Sequence, residues 1–179
     1  NTILLGPTST PALAMIVKSL RADMGIMISA SHAPFADNGV KVFDAQGNKL
    51  EQELEREVEK LVAGFAGHHI PEKYLADGES LGKVTRLDDV AGRYIEYVKS
   101  TFPKQLSLHG LKIVIDCANG ASYKVAPTIL WELGAEIIPI ANEPDGVNIN
   151  DDCGCMAPSN MQQQVMVHNA DIGISLDGD

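Results

Sequence analysis

Three short stretches of this chain hold residue types able to do chemistry. The first is Ser29-Ala30-Ser31-His32-Ala33-Pro34. It follows an apolar run, so Ser31 falls on an exposed loop at a strand end. A serine beside a histidine invites a hydrolase reading. Adjacent residues rarely place an imidazole on the neighbouring hydroxyl, however, and the Gly-x-Ser-x-Gly strand-to-helix elbow is missing. The local alternative is a structural turn. The second stretch is Asp37-Asn38-Gly39-Val40-Lys41, a tight turn into a strand that would return Lys41 toward the Ser31 loop. A lysine kept near cations and partly out of water can act as a proton acceptor. The alternative is a surface lysine opening a strand. The third is Asp177-Gly178-Asp179, two carboxylates around a glycine turn. That spacing suits a hard cation such as Mg²⁺, bound by oxygens together with a phosphate. The alternative is a solvated turn.

Two further groups are weaker. Asp116-Cys117-Ala118-Asn119-Gly120 ends a strand but lacks the glycine fingerprint of a nucleotide site, which favours a structural strand-end turn. Cys153-Gly154-Cys155 has one residue between its cysteines, whereas zinc sites usually have two or more, so ordinary loop residues are expected.

The elements that must position these residues are legible in outline. Thr10-Pro11 opens a helix over residues 10–20. Residues 25–30 (GIMISA) read as a buried strand, residues 40–43 as a second, and Gln46-Gly47-Asn48 as a turn. Residues 50–64 form a charged helix with Leu54, Val58, Leu61 and Val62 on one face. Residues 65–88 are polar with weak periodicity, and a helix then runs to about Phe102. Beyond a linker at 103–110, residues 111–116 (LKIVID), 135–140 and 170–176 are apolar strands separated by helices at 121–133 and 159–169, the latter capped by Ser159. Strand, helix, strand, helix, strand with continuous apolar strands predicts a parallel sheet covered on both faces, with ligands at the carboxyl ends of its strands. Asp177-Gly178-Asp179 lies at such an end. The fold class is α/β, with the domain boundary between 104 and 105.

Composition narrows the function classes. The 179 residues include 24 acidic and 14 basic ones, a formal charge of −10, which argues against nucleic-acid binding. No apolar run approaches the roughly 20 residues of a membrane span. Three cysteines in a chain this size fit a reducing cytoplasm better than a disulfide framework.

Taken together, residues 25–41 (GIMISASHAPFADNGVK) resemble the phosphoserine loop of the α-D-phosphohexomutases. Asp177-Gly178-Asp179 resembles the opening of their metal loop, Asp-Gly-Asp-x-Asp-Arg, and residues 111–121 (LKIVIDCANGA) resemble the start of their second domain. Phe35, Asp37-Asn38-Gly39, Gly146-Val147-Asn148-Ile149-Asn150 and Pro7-Thr8-Ser9-Thr10-Pro11 look like the hexosamine-phosphate branch.

The resemblance implies parts of the first and second α/β domains of a four-domain enzyme, with mixed and parallel sheets covered by helices. The first part would be residues 1–104, and the second residues 105–179, stopping at the metal loop. It implies an isomerase that interconverts glucosamine 6-phosphate and glucosamine 1-phosphate through a bisphosphorylated sugar. Ser31 would carry the phosphate, and Lys41 would act as acid/base. His32 would help order the loop. Mg²⁺ would bind Asp177, Asp179 and the phosphoserine. The partner would be a hexosamine phosphate, and a homodimer is possible. These 179 residues alone would be inactive. A mutase for another hexose phosphate and a non-catalytic relative stay open, because Ala33 stands where the family carries Asn.

Overall fold

The computed structural model describes residues 1–65 and 70–179. Its first half is built around helix α1 (Thr10–Leu20), which follows strand β1 (Thr2–Leu4). Ser9 occupies the N-cap with an extended backbone, and Pro11 lies in the first turn, where a missing N–H costs nothing. Ala12, Leu13, Ile16 and Val17 recur at helical spacing and are the buried face. That face packs on an antiparallel pair, β2 (Met24–Ile28) and β3 (Val40–Asp44), in which Met27 is opposite Lys41 and Ile28 opposite Val40. Leu13, Val17 and Phe43 form the core here. Gly25 is required by the close approach of the helix, since a Cβ there would come within 2.5 Å of Val17 Cγ2.

The strand expected over residues 25–30 exists but is not buried on both sides. Gly25 faces α1, while Met24, Ile26 and Ile28 are exposed. Its second face borders a cleft of about 1100 Å³ that opens between β1, β2 and α1 and reaches Ser31 and Asp179. Helix α2 (Gln52–Phe65) also has its expected apolar face, but Leu54, Val58, Leu61 and Val62 remain exposed.

Two strands were not foreseen. β1 pairs in parallel with β4 (Val84–Arg86), Ile3 opposite Thr85. Each has three residues, too few to show a period of two. Helix α3 (Val90–Thr101) follows, in contact with α1 and with helix α4 (Val125–Glu132) of the second half. That helix is shorter than expected at its start, and residues 121–124 form turns.

The second half is the expected parallel sheet, in the order β6 (Glu136–Ile140), β5 (Lys112–Asp116), β7 (Ile172–Ser175). Only the central strand is deeply buried: Ile113, Val114 and Ile115 are between 0% and 2% exposed, whereas the flanking strands are partly open. Coverage of both faces is therefore limited to β5. Helix α5 (Ser159–His168) lies against β5 and β7. Pro158, not Ser159, takes its N-cap position, and Ser159 is already the first helical residue. No described helix is long and apolar enough to cross a membrane.

Candidate functional site

Parallel pairing of β5 with β7 fixes where the two strand ends lie. Asp116 is opposite Ser175, and Leu176 N–H donates to the Asp116 carbonyl at 2.9 Å. The Asp116 side chain is fully buried, and both its oxygens are satisfied. Ala118 N–H donates to Oδ1 at 2.9 Å and Gly154 N–H to Oδ2 at 2.8 Å. A buried carboxylate is tolerated where backbone donors replace water in this way. Asp116 thus ties the loop after β5 to the loop before α5, consistent with a structural strand-end turn. Gly120 rests directly on Gly178, where an added Cβ would lie 2.6 Å from the Gly178 Cα. This contact sets the height of the Asp177-Gly178-Asp179 turn.

That turn meets the Ser31 loop. Ser31 Oγ donates to Asp177 Oδ2 at 2.8 Å, across 146 residues of sequence. Lys41, at the start of β3, forms an ion pair with Asp179 Oδ2, and Ser29 Oγ donates to Asp179 Oδ1. Ser31 N–H donates back to Ser29 Oγ at 3.0 Å, and Asp179 N–H to Asp177 Oδ1 at 3.1 Å. Ser31 has φ of 57°, in the left-handed region that costs a residue with a Cβ about 1–2 kcal/mol. Partial burial pushes the Asp179 carboxyl up, but the Lys41 ammonium and the Ser29 hydroxyl outweigh it and hold Asp179 below the usual carboxylate range.

The structure therefore brings Ser31, Lys41, Asp177 and Asp179 into one cluster. His32 is exposed, and no hydrogen bond ties its ring to a described residue. Ser29 and Asn150 do ordering work that the sequence did not point to. Asn150 Nδ2 donates to the Ser31 and Ala33 carbonyls at 2.9 Å each, so the backbone path at Ala33 is held without a polar side chain at that position. The position of Ser29, two residues before Ser31 on an extended chain, was the one available signal, since alternate residues share a side.

Beside the Lys41 ammonium, the groups of this cluster able to ligate a metal are carboxylate and hydroxyl oxygens, the donor set of a hard divalent cation. Among the described residues no three His, Cys, Asp or Glu side chains converge; Asp177, Asp179 and Ser31 are the side chains here that could hold a cation. A carboxylate pair next to a serine hydroxyl fits such an ion bound jointly with a phosphate on that serine. Burial, reinforced by Asp116, pushes the Cys117 thiol up to about 12 and the Cys153 thiol up to about 11. Cys155 is exposed.

Two family models match the chain: phosphoglucomutase/phosphomannomutase α/β/α domain I over residues 1–65, and domain II over residues 92–179. The chain is 54% identical over all its 179 residues to a phosphoglucosamine mutase of Rhodospirillum centenum. It is 56% identical over 177 residues to one from Granulibacter bethesdensis. It spans only 38% and 37% of the lengths of these relatives. Among solved structures, a phosphoglucomutase/phosphomannomutase family protein from Burkholderia thailandensis aligns over 99% of this chain and 38% of its own, with a TM-score of 0.76 and 23% identity. A phosphomannomutase described as putative, from Thermus thermophilus, aligns over 92% of this chain and 36% of its own, with a TM-score of 0.69 and 28% identity.

Proposed function

Since this chain belongs to the phosphoglucomutase/phosphomannomutase family, we propose that the full-length protein is an isomerase that interconverts glucosamine 6-phosphate and glucosamine 1-phosphate. The sugar assignment is supported by the names of the relatives most of this sequence matches at 54–56% identity. The phosphorylation chemistry is supported by one observation above the others, the hydrogen bond from Ser31 Oγ to Asp177.

In this reading Ser31 carries a phosphoryl group. A free hydroxyl of the bound sugar attacks the phosphorus, the bond from phosphorus to Ser31 Oγ breaks, and a bond to the sugar oxygen forms. Lys41, ion-paired with Asp179 in the structure, is assigned the acid/base role: as a neutral amine, freed from that pair when Asp179 turns to the cation, it takes the proton of the attacking hydroxyl and becomes the ammonium that returns it in the reverse step. The bisphosphorylated sugar then returns its other phosphate to Ser31, and the same groups act in reverse. Asp177 and Asp179 are proposed to hold Mg²⁺, which when bound neutralises charge on the transferring phosphoryl group. Phosphoryl transfer asks little covalent chemistry of the protein and much positioning, which suits a site assembled from two strand ends and a braced loop. The chain spans 38% of the length of a relative, so the reaction is proposed for the full-length protein. Unpaired cysteines fit a reducing cytoplasm.

The test is made on the full-length protein. Intact mass should show one phosphate, mapped to Ser31. Ser31→Ala should remove the phosphate and the turnover together. Glucosamine 6-phosphate should be preferred over glucose and mannose 6-phosphates by kcat/KM. Normal turnover in Ser31→Ala would refute the carrier assignment, and a preference for mannose or glucose would refute the sugar.

A further inference from the structure

The Ser31 loop is braced from across the molecule by a side chain with no assigned role. Asn150 lies in the long loop between β6 and α5, 119 residues from Ser31 in sequence. A carboxamide has two N–H donors, and this one spends both on the loop, on the carbonyls of Ser31 and Ala33 at 2.9 Å each. Those carbonyls flank His32, so the two bonds fix the direction of the chain immediately after the Ser31 side chain. Asn150 is itself anchored. Its N–H donates to the Ala118 carbonyl at 2.9 Å, and Ala118 is fully buried and held by Asp116. Its φ of 57° is a left-handed conformation in which asparagine is several-fold enriched among non-glycine residues. Gly178 closes the arrangement: a Cβ there would lie 2.9 Å from the Ser31 carbonyl oxygen and 3.0 Å from Asn150 Nδ2. A continuous path of contacts therefore runs from the buried end of β5 to the backbone of Ser31.

We propose that Asn150 is a positioning residue for phosphoryl transfer. It keeps Ser31 in its left-handed conformation and its Oγ against Asp177. The proposal rests on the reading of Ser31 as phosphate carrier. A strained backbone conformation persists only where its surroundings over-determine it, and Asn150 is the side chain that grips both sides of the turn. The carboxylate of Asp has no donor to offer either carbonyl, while Gly adopts the left-handed conformation without strain but offers no side chain.

The experiment compares Asn150→Asp, Asn150→Gly and Ser31→Ala with the parent in the full-length protein. For both Asn150 variants kcat should fall about tenfold or more while KM stays within about twofold, because orientation rather than binding is lost. Amide hydrogen exchange over residues 30–36 should accelerate about tenfold or more, with exchange in β5 and β7 unchanged. A kcat within about twofold of the parent, with Ser31→Ala inactive, sinks the bracing role and leaves the carrier reading intact. Exchange that rises equally in β5 also sinks it, because Asn150 would then be a general structural residue. An active Ser31→Ala removes the carrier reading, and this proposal with it. If Asn150→Asp fails to fold, Asn150→Gly alone decides.

Discussion

At the scale of single residues, charge at the strand-end turn is the quantity to change. Asp177→Asn keeps the shape and removes a charge beside the proposed cation. In the full-length protein it should weaken Mg²⁺ binding, raising the Mg²⁺ concentration for half-maximal turnover about tenfold or more, the size of one lost charge-assisted contact, and should slow turnover. Steady-state rates across a Mg²⁺ series check this, and an unchanged series removes Asp177 from the metal site. Asp179 makes a prediction about pH. Its carboxyl is held below the usual range by Lys41 and Ser29, so its stabilising contribution is present above the unfolded value of about 3.9 and is lost as pH falls through the lower folded value. Asp179→Asn should therefore melt below the parent at pH 7, and the two melting temperatures should converge on acidification. The thiols add a third test. Buried Cys117 and Cys153, with thiols pushed up to about 12 and about 11, should resist alkylation at pH 8 in the folded chain, while exposed Cys155 reacts. Peptide mapping after iodoacetamide treatment reads this directly. Ser31, Lys41, Asp177 and Asp179 could be picked out because each sits in a short pattern of turn residues and chemistry. The bond from Ser29 to Asp179 and the role of Asn150 could not, because the partners lie 150 and 119 residues away. No local spacing encodes such contacts.

At the scale of elements, the two halves differ in how much of them could be read. The parallel sheet was legible because β5 is a run of apolar residues flanked by helices that each end in a clear breaker. The first half was legible at α1 and β3 but not at β1 and β4, whose three residues each are paired by tertiary contact and not by propensity. Burial was overestimated for β2, and the apolar face of α2 stays exposed, since an apolar pattern states which side wants covering and not whether a neighbour arrives. Two glycines show how the elements are spaced. Gly92 lies inside α3 with open space around its Cα, so Gly92→Ala should stabilise the chain by about 0.5–1 kcal/mol through helix propensity. Gly120 is pressed against the Gly178 backbone, so Gly120→Ala must push two strand-end turns apart and should cost about 1–3 kcal/mol. Urea denaturation of both variants should give shifts of opposite sign. Shifts of the same sign would contradict the close approach of the two turns.

At the scale of the whole molecule, the candidate site belongs to neither half. Ser29, Ser31 and Lys41 come from the first, Asp177 and Asp179 from the second, and α3 touches α1 on one side and α4 on the other. We take residues 1–104 and 105–179 as the two units. The hydrogen bond from Ser31 to Asp177 then has a consequence for heat inactivation. Small sliding of one unit on the other is enough to part these groups while every helix and strand stays formed. Activity of the full-length protein should accordingly disappear on warming several degrees before its circular dichroism changes. Cooling from that interval should restore it fully, whereas cooling from complete melting must first rebuild contacts between residues nearly the length of this chain apart, a slow kind of folding step. The temperature at which the proposed activity is lost would then be set by a seam, and a cross-link placed across that seam would raise it without making either half any harder to unfold.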